Sequence, residues 1–260
     1  MPARHAYTEK DTIFGAERVM KADVLDMSHR NRVVIFDDFL CQSLLETSTP
    51  WILNAGSDDV AVDPAVTSTK EAGGVIQLVS GDAGTGVAAD GSQIVCAIPV
   101  QADGGNGLVF ETRLKIVSAV TTVQVNVGFT DVTTLELPVS IGGSDALTTN
   151  ASDFAGFVYD TGADTDQWFG VAVDGDTDDT SSATTGLAPT ADTYQILRAE
   201  ISPDGSVVRF LIDGVEVLKL NPGSAGVSPD VNLYFTIIVN STTTTSRTVK
   251  VDYIYIGCSR

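Results

Sequence analysis

The last third of the chain alternates between apolar and polar residues with the period of two that is typical of a β-strand. In the segment 194–201, Leu197, Ala199 and Ile201 alternate with two charged residues, which predicts a strand with one buried and one exposed side. Similar short runs recur after residue 32, separated by clusters of Gly, Asp, Ser and Thr that are typical of turns. The strands predicted from these runs are 33–36, 51–53, 74–79, 93–98, 108–117, 122–129, 154–159, 167–173, 194–201, 207–212, 215–220 and 252–256.

Two short segments indicate turns between the C-terminal strands. Asp213 and Gly214 lie between two apolar runs and predict a two-residue hairpin turn, because both residue types tolerate the positive φ angles that such a turn needs. The Thr-rich segment 242–245 indicates the tip of another hairpin. With about a dozen strands, no fixed repeat and no Pro-rich or Ser-rich linker, the chain after residue 35 is predicted to form one large two-sheet sandwich.

A helical pattern precedes the strands. Apolar residues at positions 16, 19, 20, 24 and 27 recur mostly at intervals of three and four, which predicts an amphipathic helix over residues 15–27. A helix of about 13 residues is marginally stable alone in water, so it is expected to pack either on its own sandwich or on a neighbouring subunit. The predicted organisation is an N-terminal arm over residues 1–35 and a β-sandwich domain over residues 36–260.

The negative charge of the chain is concentrated after residue 35. The formal net charge is −19, and residues 36–260 hold 29 acids against 9 Lys and Arg, which gives −20. The arm differs, with 5 acids, 6 bases, both histidines and all three methionines. An acidic body repels nucleic acid and anionic membranes, so neither is expected as a partner. The hydrophobic fraction of 43% excludes a disordered chain.

The cysteines and the first residues favour synthesis in a reducing compartment. Cys41, Cys96 and Cys258 are far apart and lack Cys-x-x-Cys spacing, so the sequence predicts neither a full disulfide set nor a zinc site. The first ten residues lack the apolar core of a signal peptide, and no run of 18 apolar residues occurs. Export by a signal peptide and a membrane-spanning segment are therefore both unexpected.

Five segments of strand and turn pattern carry a resemblance to a known superfamily, and they are 108–116, 125–131, 194–198, 208–214 and 251–254. In these segments the chain resembles the concanavalin A-like lectin and glucanase domains, over about residues 36–257. The resemblance implies an all-β fold, a two-sheet antiparallel jelly-roll sandwich. Members of that superfamily include lectins, endoglucanases, adhesion modules and virion proteins of tailed bacteriophages. The segment 34–40, Val-Ile-Phe-Asp-Asp-Phe-Leu, is similar to the start of such domains in phage structural proteins.

The sequence lacks the residues that the glucanase branch of this superfamily uses for catalysis. A retaining mechanism needs two carboxyl groups roughly 5 Å apart, which the glucanases supply from one strand in a Glu-x-Asp-x-Glu pattern. That pattern is absent here, and Glu111 with Arg113 on the same strand is interpreted as an ordinary ion pair. His5 and His29 both lie in the arm, and Gly-x-Ser-x-Gly is also absent, so no nucleophilic triad is predicted. We therefore expect no catalytic residues.

An acidic segment between residues 160 and 179 is the strongest chemical signal. Asp174, Asp176 and Asp178 have the spacing of oxygen ligands in a calcium loop, and Ca²⁺ prefers several carboxylate and carbonyl ligands. Asp179 and Thr185 stand where an EF-hand requires Gly and Glu, so the segment is not that motif. Two interpretations remain, a solvated acidic loop or a Ca²⁺ site completed by a neighbouring aspartate.

Two aromatic residues suggest a second binding chemistry. Trp168 and Tyr159 could form a platform on which a sugar ring stacks, or their rings could fill the core of the sandwich. The first interpretation would make the protein a carbohydrate-binding, lectin-like module on a phage tail or a cell surface. The second leaves no site for a sugar there.

The favoured hypothesis is a non-enzymatic structural protein of a tailed-phage virion. The missing catalytic pairs, the free cysteines and the distinct arm favour a capsid decoration or cement protein, made in the host cytoplasm, that binds neighbouring subunits through its arm. Its expected partners are capsid or other virion proteins, in a homo-oligomer or a larger assembly. The arm residues expected to make these contacts are Ile13, Phe14, Val19, Met20, Val24 and Met27.

Overall fold

The structure of the protein is a computed structural model, which describes residues 32–39, 50–57, 64–69, 71, 74–84, 86–103, 107–178, 184–221 and 226–259. Nearly all regular elements in these residues are β-strands. In chain order they are β1 Arg32–Asp37, β2 Trp51–Ala55, β3 Ala65–Thr69, β4 Val75–Val79, the helix α1 Val87–Asp90, β5 Ser92–Cys96, β6 Leu108–Val117, β7 Val123–Thr130, β8 Val139–Gly142, β9 Ala146–Thr149, β10 Phe154–Asp160, β11 Phe169–Asp174, β12 Thr177–Asp178, β13 Gln195–Ile201, β14 Val208–Ile212, β15 Val215–Leu220, β16 Tyr234–Ser241 and β17 Thr248–Ser259.

The strands form two antiparallel sheets and one small hairpin. Sheet A has the order β15-β14-β13-β6-β17-β4-β3, and β1 pairs with β17 beyond the end of β4. Sheet B has the order β12-β11-β10-β7-β16-β5-β2, and β8 pairs only with β9. Neighbours in each sheet are often distant in sequence, as for β6 and β17, so the chain crosses repeatedly between the two sheets.

The core lies between the inner faces of the two sheets. Alternate residues of each strand point inward, and the outward positions are more polar in sheet A, as expected for a half-buried strand. At the centre, the Phe110 ring from sheet A lies 5.1–6.4 Å from the rings of Phe129, Phe157 and Phe235 from sheet B. Two of these three contacts are edge-to-face, the arrangement that aromatic rings favour.

A further layer covers the outer face of sheet B. Residues 131–153, called the strap below, connect β7 to β10 and contain the β8-β9 hairpin with a short 3₁₀ turn at Gly143–Asp145. Val139, Ile141 and Ala151 of the strap are buried against the outward side of sheet B. The sandwich therefore has a second, smaller hydrophobic cluster outside its main core.

The structure confirms the all-β antiparallel sandwich that the strand pattern predicts. It also confirms the hairpin turn at Asp213 and Gly214, whose φ angles are 51° and 80°. The hairpin predicted at residues 242–245 is wrong, because the flanking strands β16 and β17 lie in different sheets and this segment crosses between them. No helix among the described residues is long and apolar enough to cross a membrane.

The predicted arm lies almost wholly outside the described residues. The helix over residues 15–27 and the six contact residues Ile13, Phe14, Val19, Met20, Val24 and Met27 all fall there, so they stay predictions. The strand β1 begins at Arg32, four residues before the predicted start of the sandwich domain at 36, and its pairing with β17 makes it part of sheet A.

Candidate functional site

Most of the outer face of sheet B, which an open sugar-binding sheet would present to solvent, is buried. Gln93, Asn126 and Thr236 point away from the main core, yet none of the three is exposed to solvent. Their amide and hydroxyl groups are polar, so burying them requires partners. The strap and the strands around them provide most of these partners.

A ladder of amide hydrogen bonds joins β2 and β5 to the strap. Asn54 Nδ2 donates to Gln93 Oε1 at 2.8 Å and to the carbonyl of Thr133 in the strap at 2.9 Å. Gln93 Nε2 in turn donates to Thr236 Oγ1 at 3.0 Å. The strap is thus attached to the face of sheet B by hydrogen bonds as well as by apolar contacts.

Asp160, at the end of β10, is the main polar anchor of the strap. Its side chain is 1% exposed, and Oδ2 accepts from the backbone N–H of Ile141 at 2.9 Å and from Gln124 Nε2 at 2.8 Å. Its Oδ1 accepts from the N–H of Gly162 at 2.8 Å. Asn126 Oδ1 holds the same hairpin by accepting from the N–H of Val139 at 3.1 Å. Asp160 therefore has a structural role in closing the face.

Apolar contacts complete the cover. Phe154, Val158 and Phe169 on the outward side of β10 and β11 pack with Val139 and Ile141 of the strap, and all are nearly inaccessible to solvent. Burial of this cluster adds hydrophobic stabilisation to the hydrogen bonds described above. The strap leaves no open sheet face in this part of sheet B.

The carbohydrate platform predicted at Trp168 and Tyr159 is not present. Trp168 is 0% exposed and Tyr159 is 1% exposed, and their rings lie 5.6 Å apart in the main core. Trp168 Nε1 donates to Gln195 Oε1 at 2.9 Å and the Tyr159 hydroxyl donates to the carbonyl of Val120 at 2.9 Å. Burial raises the pKa of Tyr159 to about 12. Both polar groups are satisfied internally, so neither ring offers a face to a sugar.

The segment predicted to bind Ca²⁺ is a tight hairpin between β11 and β12. Asp174 pairs with Thr177, and Gly175 and Asp176 form the turn with φ angles of 56° and 64°. Asp174 Oδ1 accepts from the Ser228 hydroxyl at 2.7 Å. Among the described residues no group of three or more His, Cys, Asp or Glu is arranged to hold a metal. The side chain of Asp178 lies outside the described part of the chain, so the full Asp174, Asp176 and Asp178 site stays a prediction.

Asp153, at the end of the strap, lies beside this hairpin. It is 3% exposed, and its Oδ1 accepts from the N–H of Ser228 at 2.6 Å. Burial is the largest cause that raises its pKa, and the charges of Asp131 and Asp174 add to the effect. The folded protein therefore favours the neutral carboxyl of Asp153 more than the unfolded chain does.

The raised pKa of Asp153 predicts a pH dependence. Its neutral form contributes stability that is fully present below the ordinary pKa of 3.8 and is lost as the pH rises through the folded-state value. Replacing Asp153 with Asn should thus raise the free energy of unfolding, relative to the original protein, more at pH 7 than at pH 4. Urea denaturation at both pH values measures this, and an equal difference at both would contradict it.

The outer face of sheet A carries a row of alternating charges. Glu216, Arg209, Glu200, Arg198 and Glu111 follow one another across β15, β14, β13 and β6, and each contacts the next through an ion pair of 2.5–3.3 Å. The row ends at β17, where the Tyr253 hydroxyl donates to Glu111 Oε1 at 2.8 Å. Burial and the charge of Glu111 raise the pKa of Tyr253, so the phenol stays a donor. This row is the largest charged network among the described residues.

The ion pair predicted between Glu111 and Arg113 is wrong. Glu111 pairs with Arg198 of β13, and Arg113 pairs with Asp252 of β17 at 2.6 Å. Arg198 is the cross-strand neighbour of Glu111, so their side chains lie close together. Glu111 is therefore held by two partners and is not placed opposite a second acid.

Nearly all positive charge of the described body lies on this one face. Seven Lys and Arg side chains are described within residues 36–260, and only Arg247 is elsewhere. The six on the outer face of sheet A are Arg113, Lys115, Arg198, Arg209, Lys219 and Lys250. Five acids form ion pairs with them, namely Glu71, Glu111, Glu200, Glu216 and Asp252. The face is close to neutral, whereas the strap has four acids and no base.

The sequence alone did not indicate this face, although one signal was available. Arg198 and Glu200 alternate with buried residues in β13, which predicts an outward pair, but the pairing of β13 with β6 and β14 is not encoded locally. The strap was missed because its apolar residues are separated by Gly, Ser and Thr, which resemble turn sequence.

Comparison with solved structures identifies the architecture. A protein of unknown function from Shewanella oneidensis MR-1 aligns with a TM-score of 0.58 at 16% sequence identity, covering 88% of this chain and 87% of that chain. A prokaryotic β-1,3-1,4-glucanase (lichenase) from a mouse hindgut metagenome aligns with a TM-score of 0.56 at 13% identity, over 86% and 98%. Peanut lectin aligns with a TM-score of 0.54 at 12% identity, over 88% and 97%. The fold is a concanavalin A-like jelly roll.

These structural likenesses establish the fold alone, because every one of the three is below 25% identity. No protein-family model matches the chain, and no curated protein matches it. Some of the similar solved structures are glycoside hydrolases and others are lectins, so the fold alone indicates neither activity for this chain.

Proposed function

We propose that the protein is a non-enzymatic structural component of a tailed-phage virion, a capsid decoration or cement protein that binds neighbouring subunits through its N-terminal arm. The observation that carries the proposal is the closed outer face of sheet B. A sugar that binds on a sheet face needs that face to be accessible, and the strap covers the outer face of sheet B here with its own side chains.

Two buried carboxyl groups of the described body, those of Glu111 and Asp160, are held by structural partners. Glu111 and Asp160, both nearly inaccessible to solvent, are engaged with Arg198, Tyr253 and backbone or amide donors. Retaining glycoside hydrolysis needs two carboxyl groups facing one sugar bond. The body thus resembles a rigid, acidic scaffold, and the amphipathic arm is the part of the sequence suited to bind a partner.

Removing residues 1–30 tests the proposal directly. We expect the shortened chain to keep its β-rich circular dichroism spectrum and its cooperative melting, because the first described strand of the sandwich begins at Arg32, and to lose association with other subunits. Light scattering coupled to size-exclusion chromatography measures the mass of both proteins. Loss of folding without a change in assembly, or an unchanged assembly of a folded truncated chain, would contradict the proposal.

A carbohydrate-binding module on a phage tail or cell surface is the second candidate, supported by the lectin and glucanase folds to which the chain is similar. A glycan array separates the two candidates. The closed face predicts a blank array for the full chain, and reproducible binding to a group of related glycans would instead favour the second candidate. The buried positions of Trp168 and Tyr159 weigh against it.

A further inference from the structure

The outer face of sheet A has an apolar part next to its charged row. Val34 of β1 is 54% exposed and Phe36 is 38% exposed, and both point to this face. Val34 pairs with Gly257 of β17, and Gly257 pairs with Val109 of β6. These residues form a continuous strip across three strands.

Gly257 allows an aromatic ring to complete the strip. A Cβ atom at Gly257 would lie 2.9 Å from the hydroxyl oxygen of Tyr255 and 3.0 Å from Cγ1 of Val109. The Tyr255 phenol therefore lies over the glycine, in the space that any larger residue would fill. The Phe36 ring lies 6.0 Å from the Tyr253 ring, so aromatic groups border the strip on its β17 side.

The strip continues into the charged row. Val109 pairs with Glu200, Glu200 pairs with Arg209, and Arg209 pairs with Lys219, so one line of cross-strand neighbours runs from β1 to β15. Along this line a surface cavity of about 380 Å³ is lined by Val109, Arg198, Glu200 and Arg209 among others. The face thus offers an apolar end, a depression and charges of both signs.

Charge decides which occupant fits this face. A second acidic body, at −20, would meet strong repulsion at the strap side but much less at the nearly neutral sheet A face. Residues 1–31 hold five bases and five acids around the predicted apolar stripe of residues 16–27. An amphipathic segment of balanced charge is complementary to an apolar strip beside paired charges.

The entry of the chain into sheet A places this segment where it can reach a neighbour. β1 begins at Arg32 opposite Ser259, at the end of β17, so the chain enters the sheet from beyond its end. Thirty-one residues span up to roughly 100 Å when extended, which exceeds the width of a domain.

We propose that the strip formed by Val34, Phe36, Tyr255 and Val109, with the adjoining Arg198–Glu200–Arg209 depression, is the docking surface for the N-terminal arm of a second copy of this chain. The inference rests on the proposed function, in which the arm binds neighbours, and adds the surface that receives it.

Photo-crosslinking of the full chain tests the proposal. Benzoylphenylalanine is introduced at Val34, and unlabelled and ¹⁵N-labelled proteins are mixed so that crosslinks between copies carry both isotopes. We expect mixed-isotope crosslinks to the tryptic arm peptides 11–18 and 22–30. The same probe at Ile52, an exposed residue of β2 in sheet B, should give at least tenfold fewer of them. Crosslinks within one copy only, crosslinks to another body, or equal yields from both positions would overturn the proposal.

A matched pair of substitutions provides the second test. Phe36→Glu and Ile52→Glu place the same charge at apolar positions of almost equal exposure, 38% and 39%. We expect Phe36→Glu to weaken self-association at least tenfold in sedimentation velocity, and Ile52→Glu to change it less than twofold. If deletion of residues 1–30 abolishes association while Phe36→Glu leaves it intact, the docking surface is wrong and the proposed function stands. If the deletion has no effect on association, the proposed function itself fails.

Discussion

Replacing Phe110 with alanine is expected to lower the free energy of unfolding by about 3–5 kcal/mol, the usual loss for a large ring removed from a well-packed core. Phe110 is 0% exposed and contacts rings from three strands of the opposite sheet, so its removal leaves a cavity between the sheets. The neighbouring strands are fixed by their ladders and can close only part of that cavity. Chemical denaturation of both proteins measures the difference.

Phe36→Ala is the control for this prediction. The chemical change is identical, but Phe36 is 38% exposed on the outer face of sheet A, so its loss should lower the unfolding free energy by about 1 kcal/mol or less. A similar loss at both positions would mean that the cluster around Phe110 is not the centre of the core.

Replacing Asp160 with alanine should lower the free energy of unfolding by about 3 kcal/mol, because three buried or partly buried donors lose their acceptor at once. The N–H groups of Ile141 and Gly162 and the amide of Gln124 all donate to this carboxylate. The loss of stability should be largest near the strap. Hydrogen exchange in the β8-β9 hairpin is expected to speed up more than exchange in sheet A.

Two further variants define the role of Asp160. Asp164→Ala removes an exposed carboxylate four residues away and should change the unfolding free energy by less than about 0.5 kcal/mol. Asp160→Asn keeps one acceptor oxygen of the two and should have an intermediate effect. Unchanged exchange of the Ile141 N–H in Asp160→Ala would show that the strap is held without this anchor.

Most of the strands could be predicted from the sequence, because their signal is local. β13 shows the alternation of a half-buried strand, and the Asp213-Gly214 turn needs only two residues with positive φ. The resemblance to the jelly roll also rested on such segments. Local pattern was enough to identify the sandwich.

The partners of the strands could not be predicted in the same way. Arg198 and Glu111 are 87 residues apart, and the crossing of the chain from β16 to β17 looks in sequence like a hairpin. The strap is the clearest example. Its short apolar segments are buried only because they pack against Phe154 and Phe169 of sheet B, and this contact is not visible in the local sequence. Trp168 is buried for the same reason, because residues distant in sequence pack around it in the main core.

The closed face changes what the fold implies about function. On an open jelly roll, the polar side chains of Asn54, Gln93 and Asn126 would be available to hydrogen-bond a sugar. Here these groups hydrogen-bond to the strap or to one another, and they serve to hold the cover in place. The outer face of sheet A and the arm that leads into it are the surfaces proposed to bind a partner.

Locating the chain in purified particles tests whether it is a structural part of a phage virion. Purified particles from the phage that encodes the chain can be analysed by mass spectrometry and electron cryo-microscopy together. We expect many copies per particle and repeated density into which the two-sheet sandwich and its strap fit, with each arm reaching an adjacent subunit. Intact particles that lack the chain would contradict it.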